Sequence, residues 1–184
     1  MALKLFTDRG FDAVTVNEIA EAAEVAKATL FSYFPSKESL LLEGVGEDDL
    51  AGVVARRRST ESPLHALRAH YRTLAAEQAT VVDRDEVIAR MRVIFGSPAL
   101  SGAANALLYH QRSELARVLT QDYGQRLAAL VAAQTAAILL ALQESFFHHL
   151  IGGTPPQEAA RVLAEDTELA FGLLEHGIHH LEGH

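Results

Sequence analysis

The spacing of apolar and polar residues is helical along nearly the whole chain, and no segment alternates strictly as a half-buried strand would. The predicted helices cover residues 2–9, 16–23, 27–34, 37–58, 63–78, 83–95, 98–121, 125–150 and 155–181. A polar stretch at residues 59–62, followed by Pro63, marks the best candidate boundary between two parts of the chain. We therefore expect an all-α protein.

Residues 15–34 have the spacing of two short helices joined by a tight turn. Thr15 is a typical amino-terminal cap, Pro35 cannot continue the second helix, and Ser36 can cap the next one. The small Ala20 allows the two helices to cross closely, as in a helix-turn-helix. The residues expected to hold this pair together are Ile19, Ala20, Ala23, Val25, Leu30 and Phe34.

The outer face of the second helix is then left for recognition. It carries Lys27, Ala28, Thr29, Ser32 and Tyr33. Short side chains permit a close approach to the major groove, and hydroxyls can read base edges. Glu24 occupies a turn position where glycine is usual because φ is positive there, at a cost of about 1 kcal/mol. An ordinary pair of packed helices has the same spacing and remains the alternative.

The run "LFTDRGFDAVTVNEIAEAAEVAKATLFSYFPSKESLL" resembles the tetracycline-repressor (TetR) family. The family pattern combines L-F-x-x-x-G-[FY], a Thr-initiated helix with I-A-x-x-A, and T-L-[YF]-x-[YH]-F-x-x-K-x-x-L. The residues in register are Leu5, Phe6, Gly10, Phe11, Thr15, Ile19, Ala20, Ala23, Val25, Thr29, Leu30, Phe31, Tyr33, Phe34, Lys37 and Leu40. The match covers about a fifth of the chain.

The resemblance implies an amino-terminal three-helix helix-turn-helix domain, residues 1–44, and a larger helical ligand-binding and dimerisation domain, residues 45–184. It also implies that Thr15 and Lys37 contact phosphates and that Tyr33 contacts backbone or base. The implied function is a repressor that binds a palindromic double-stranded operator as a dimer and is released by a small effector. Phe31 stands where the family more often has Tyr, and the first helix begins as if truncated.

Charge and composition narrow the function. The net charge is −8, and residues 1–58 hold seven Lys and Arg against ten Asp and Glu. This balance argues against a protein that coats nucleic acid non-specifically. However, the stretch from Val25 to Lys37 holds two lysines and no acid. The absence of cysteine excludes disulfides and suits a cytoplasmic protein. The apolar run at residues 127–142 is interrupted by Gln134 and Thr135, so we expect a core helix and no membrane partner.

Two carboxy-terminal helices carry apolar residues on more than one side, which indicates a partner helix as well as a core. We predict a homodimer in which two helices of each subunit form a four-helix bundle. The predicted interface residues are Leu130, Gln134, Ala137, Ile138, Ala141, Leu169 and Leu173. The alternative is a large monomeric core.

The remaining candidates concern small ligands. The pool for an apolar effector pocket is Tyr71, Met91, Phe95, Tyr109, Arg112 and Phe146, for which plain core packing is the alternative. The histidine-rich positions His148, His149, His176, His179, His180 and His184 have helical spacings that could bind a metal. They lack an accompanying carboxylate set, so we expect no metal and no cofactor. The sequence has no Gly-rich phosphate loop, Ser elbow or Cys nucleophile, so we expect no enzyme. An all-helical small-molecule or metal-binding protein, or a relative that no longer binds DNA, remains the alternative.

Overall fold

The computed structural model describes residues 1–43, 49–81 and 83–182, apart from the side chains of residues 78–81 and 178–182. Every regular element in these residues is a helix, which confirms the all-α prediction. The helices are α1 (Ala2–Arg9), α2 (Val16–Ala22), α3 (Lys27–Tyr33), α4 (Ser39–Leu42), α5 (Leu50–Arg56), α6 (Pro63–Val81), α7 (Arg84–Gly96), α8 (Pro98–Ile151) and α9 (Pro156–Glu182). Short helices therefore precede long ones.

The single helix predicted for residues 37–58 is wrong. Helix α4 ends at Leu42, because the ψ of 127° at the following residue, Glu43, leaves the helical region. Helix α5 has its own cap, because the Asp49 carboxylate accepts a hydrogen bond from the Gly52 N–H at 2.7 Å. A side chain at Gly52 would displace that carboxylate from its present position, so glycine permits this close approach. Residues 44–48 lie outside the described part of the chain.

The two helices predicted for residues 98–121 and 125–150 are confirmed, because α8 combines two helices that meet at a kink at Gly124. This glycine has φ 71° and ψ 162°, which an L side chain rarely adopts. Helix α8 is also long and apolar enough to cross a membrane by length and composition. A single such helix is weak evidence for a membrane span, since core helices pass the same test.

Packing divides the chain into two compact units. The first comprises Met1–Asp48 and Asp85–Leu108, and the second comprises Asp49–Arg84 and Tyr109–His184. Residues 85–108 therefore pack with the amino-terminal helices, although the division predicted from sequence at residue 44 assigns them to the effector domain. That division follows function rather than packing and stays a prediction.

The first unit is built around the rings of Phe6 and Phe11, whose centroids lie 5.1 Å apart. Helices α1 to α4 contribute most of the core, and α7 and the start of α8 complete it. The buried residues are Phe6, Phe11, Val14, Ile19, Ala20, Leu30, Leu41, Leu42, Ile94 and Leu100. Helix α3 is therefore anchored by Leu30 on one side and leaves its other side free.

In the second unit, α6 packs along α9. The Arg68 Nε donates to Glu168 Oε2 at 2.9 Å, and its Nη1 donates to Glu175 at 3.2 Å. The Arg68 guanidinium holds the pKa of Glu168 below its usual value. Beneath these ion pairs, the Tyr71 ring stacks on Phe171 with centroids 6.1 Å apart. Ion pairs and an apolar core thus bind α6 to α9.

Candidate nucleic-acid interface

Helix α2 begins with a complete capping box, which confirms Thr15 as its cap. The Thr15 hydroxyl accepts from the Glu18 N–H at 3.3 Å, and the Glu18 carboxylate accepts from the Thr15 N–H at 2.7 Å. Ile19 and Ala20, one turn later, are buried against the first-unit core. The cap therefore fixes where α2 starts, and the buried pair fixes which side of it faces inward.

The turn between α2 and α3 has the backbone conformation expected from its length. Glu24 has φ 55° and is the one non-glycine residue with positive φ in the described chain, which confirms the strained position. The Val25 N–H donates to the Ala20 carbonyl at 3.0 Å and closes the turn. Two side-chain predictions are wrong here: Ala23 is exposed, and Val25 is 40% exposed and does not fill the turn. The turn is closed by its backbone rather than by an apolar plug.

Helix α3 buries one side and exposes the other. Leu30 lies in the core and Phe34 packs partly against it, as predicted. All five residues of the predicted outer face are exposed, and Tyr33 is 76% exposed: Lys27, Ala28, Thr29, Ser32 and Tyr33. Phe34, with φ −124° and ψ 97°, ends the helix before Pro35. The structure therefore presents a short helix whose free face has one cation, two hydroxyls, a methyl and a phenol.

The start of α2 carries a charged pair, the Glu18 carboxylate and the Arg9 guanidinium. The Thr15 hydroxyl donates to Glu18 at 2.8 Å, and Arg9 forms a 2.8 Å ion pair with the same carboxylate. Hydrogen bonds from the Thr15 N–H and hydroxyl, followed by the Arg9 bond, lower the pKa of Glu18 to about 2. Glu18 was not among the predicted site residues, although the T-x-x-E spacing is the signal for it. It supplies the negative charge that a helix start favours.

Two basic side chains of the first unit, one just before α4 and one from α7, donate to backbone carbonyls. The Lys37 ammonium donates to the carbonyls of Phe11 and Val14. The Arg90 guanidinium, from α7, donates to the Leu41 carbonyl at 2.6 Å and also bonds the Glu43 carbonyl. Sequence reasoning did not single out Arg90, because nothing in the local pattern indicates a contact 49 residues away. Helix α4 is therefore tied at both of its ends.

The residues predicted for a dimer interface all lie in the second unit. Six are exposed and Ile138 is half-buried. Leu130 on α8 is 56% exposed, and Leu169 and Leu173 on α9 are 65% and 69% exposed. On α8, the exposed residues Leu130, Gln134, Ala137 and Ala141 are spaced alternately by four and three, so they share one helix face.

The predicted effector residues are divided between the two units, and their role in a pocket stays a prediction. Met91 and Phe95 belong to the first unit, whereas the other four belong to the second: Tyr71, Tyr109, Arg112 and Phe146. Tyr109 is exposed, with the Arg112 guanidinium 4.5 Å from its ring centroid. Phe146 and Tyr71 pack in or against core, which is the plainer of the two interpretations.

An open groove lies at the carboxyl end of α8, where none of those six residues contributes. It is lined by Ala141, Glu144, Ser145, His148, His149, Gly152 and Thr154. In the part of the chain that the structure describes, no three His, Asp or Glu side chains could together hold a metal ion. The side chains of His179 and His180, and all of His184, lie outside the described residues.

Comparison with known proteins identifies the amino-terminal part. Residues 1–43 match the pattern described as "Bacterial regulatory proteins, tetR family". The matched residues contain α1 to α4, and with them the capped helix, the strained turn and the exposed face of α3. The motif quoted from the sequence thus coincides with the interface built from the structure.

Two curated relatives and one solved structure extend the comparison. The HTH-type transcriptional regulator TcmR of Streptomyces glaucescens is 32% identical over 72% of this chain, and the HTH-type transcriptional repressor KstR2 of Rhodococcus jostii (strain RHA1) is 36% identical over 47%. The alignments span 56% and 47% of those two proteins, about half their length. The TetR family transcriptional regulator PfmR from Thermus thermophilus is 24% identical, with a TM-score of 0.44, and the match covers 92% of this chain and 94% of that one.

Proposed function

We propose that this chain, which belongs to the tetR family of bacterial regulatory proteins, is a ligand-responsive transcriptional regulator that represses by binding a palindromic DNA operator. One observation carries the proposal. The exposed face of α3 is free of acidic side chains in a chain whose net charge is −8. A locally non-acidic, hydroxyl-bearing helix suits a groove rather than a protein surface of mixed charge.

On the exposed face of α3, some residues would contact bases and one would contact a phosphate. Thr29, Ser32 and Tyr33 reach base edges or backbone with their hydroxyls, and Ala28 approaches a thymine methyl group. Lys27 contacts a phosphate. The Ser32 hydroxyl donates to the Thr29 carbonyl at 2.7 Å in the free protein, so its lone pairs remain available as acceptors for a base amino group.

A dimer supplies the second half-site. A single short recognition helix binds weakly, and a two-fold dimer reads two half-sites about one DNA turn apart. The exposed leucines of α8 and α9 would be the contact between subunits, because burying Leu130, Leu169 and Leu173 removes a large apolar area from water. We place the protein in the cytoplasm, where its operator is.

Effector binding in the helical part would be coupled to DNA through α4. Arg90 links α7 to the carbonyls at the end of α4. A displacement of α7 would therefore also displace α4 and the helices packed on it. A small, mainly apolar molecule would need to favour one arrangement over the other by about 1–3 kcal/mol. The relatives' names state regulation and repression, and they support a regulator rather than an enzyme.

Selection from a randomised duplex pool tests the proposal. The wild-type chain should enrich one palindromic sequence, and Tyr33→Ala should bind that duplex about 100-fold more weakly, because the phenol lies exposed beside the groove-facing hydroxyls. Tyr109→Ala, which removes another exposed tyrosine, from the second unit, should leave the affinity unchanged. Absence of any enriched sequence, or equal binding by Tyr33→Ala, would contradict the proposal.

A further inference from the structure

Lys37 occupies the turn between α3 and α4, and its ammonium group points into the protein. Its Nζ lies 2.9 Å from the Phe11 carbonyl oxygen and 3.0 Å from the Val14 carbonyl oxygen. The same atom lies 4.1 Å from the centroid of the Phe11 ring. Two of the three ammonium protons are therefore used within the fold, and a ring face lies beside the charge.

The segment that Lys37 contacts is the one that leads into α2. Phe11 and Val14 are both buried, and the Val14 N–H also donates to the Phe11 carbonyl. Thr15, the cap of α2, follows directly. A single ammonium group thus joins the segment after α3 to the start of α2, across sequence separations of 26 and 23 residues.

We propose that Lys37 is a positioning residue, which sets α3 against the start of α2 and influences DNA affinity through geometry rather than by neutralising a phosphate. Its contacts lie within the first unit, so they exist before any DNA is bound. The DNA part of this proposal rests on the proposed function; the structural part does not. A phosphate contact and a positioning contact differ in salt dependence, because only the former releases a counterion from DNA.

The first experiment compares Lys37→Met with Lys27→Met, the same chemical change on the exposed face of α3. Binding to a mixed-sequence duplex of about 30 base pairs is measured over a series of salt concentrations, and amide hydrogen exchange is measured on the free proteins. For Lys37→Met we expect a roughly tenfold loss of affinity at every salt concentration, an unchanged slope, and about tenfold faster exchange at residues 11–15. For Lys27→Met we expect the slope to fall by about 0.9 and the exchange to stay as in the wild type.

Each outcome decides. A slope that falls for Lys37→Met as it does for Lys27→Met, or an exchange rate that does not change, overturns the positioning role. If the wild-type chain does not bind the duplex at all, the proposed function fails, and the exchange rates still judge the contacts of Lys37.

A second measurement needs no variant, and so it stands even if Lys37→Met does not fold. The sequence contains three lysines, Lys4, Lys27 and Lys37, which makes their ¹⁵N-labelled ammonium signals simple to assign. The Lys37 ammonium, bonded to two carbonyls, should exchange its protons with water at least about tenfold more slowly than the other two. Equal exchange rates for all three lysines would overturn the proposal.

Discussion

The faces proposed for partners differ in kind between the two units, although both units are built from amphipathic helices. On α3, the free face carries hydroxyls, a methyl and a lysine, whereas on α8 and α9 the exposed positions include Leu130, Leu169 and Leu173. A polar face with small side chains suits a hydrated partner of fixed shape. Exposed leucines on helices, such as Leu169 and Leu173 four residues apart on α9, suit another helix of the same kind. The exposed remainder of each helix, more than its buried side, therefore indicates its partner.

The largest expected effect comes from placing a charge on the exposed apolar surface of α8 and α9. Leu173→Glu should raise the dissociation constant of the proposed dimer by about 100-fold or more, because a two-fold interface would bury both carboxylates. Since Leu173 is 69% exposed in the single chain, the subunit itself should keep its fold. Analytical ultracentrifugation and circular dichroism measure the two effects.

Ile151→Glu is the matched control, because Ile151 is an exposed apolar residue of the same unit, outside the predicted interface. It should remain dimeric. A Leu173→Glu chain that sediments as the wild type does would remove the assignment of this surface.

A smaller effect is expected in the first unit, at the strained turn residue Glu24. Glu24→Gly should raise the free energy of unfolding by about 1 kcal/mol, because glycine adopts φ 55° without the penalty that a side chain incurs. Urea unfolding monitored by circular dichroism measures the change. Glu24→Ala, which keeps a side chain at positive φ, should show no such gain, and an equal gain would mean that the backbone conformation is not the cause.

The smallest expected effect concerns the cap of α2. The pKa of Glu18 is about 2 in the folded protein against 4.5 for the free group, so its carboxylate stabilises the fold above pH 4.5. That contribution is lost as the pH falls from 4.5 towards 2. Glu18→Gln should therefore flatten the fall of the melting temperature between pH 5 and pH 2, measured by circular dichroism. Glu21→Gln, the same change away from the cap, is the control; an equal fall for wild type and Glu18→Gln would refute the role.

What could be predicted from sequence is what local rules decide. Thr15 as a cap, Pro35 as a stop and the strain at Glu24 follow from the conformational preferences of single residues, and all three are present in the structure. The exposed side of α3 also followed from helical periodicity. The inward positions of Ala23 and Val25 were wrong, because the backbone bond from Val25 to Ala20 closes this turn without an apolar side chain.

What could not be predicted depends on residues far apart in the chain. The contacts of Lys37 with Phe11 and Val14, and of Arg90 with Leu41, have no periodicity or spacing that marks them. The family resemblance suggested a phosphate for Lys37, and only the folded arrangement shows carbonyls around it. The effector residues stay a prediction for a related reason, since residue type indicates suitability for a pocket but not position.

The composition of the first unit from two separate stretches of chain has a consequence for biosynthesis. Ile94 and Leu100 belong to the same core as Phe6 and Ile19, so that core is complete only when residues 85–108 have left the ribosome. Until then, the newly made amino-terminal helices expose the apolar side that α7 later covers. Helix α3 is therefore translated early but reaches its final packing late. A nascent or prematurely terminated chain of residues 1–43 lacks part of the core that holds α3 in place.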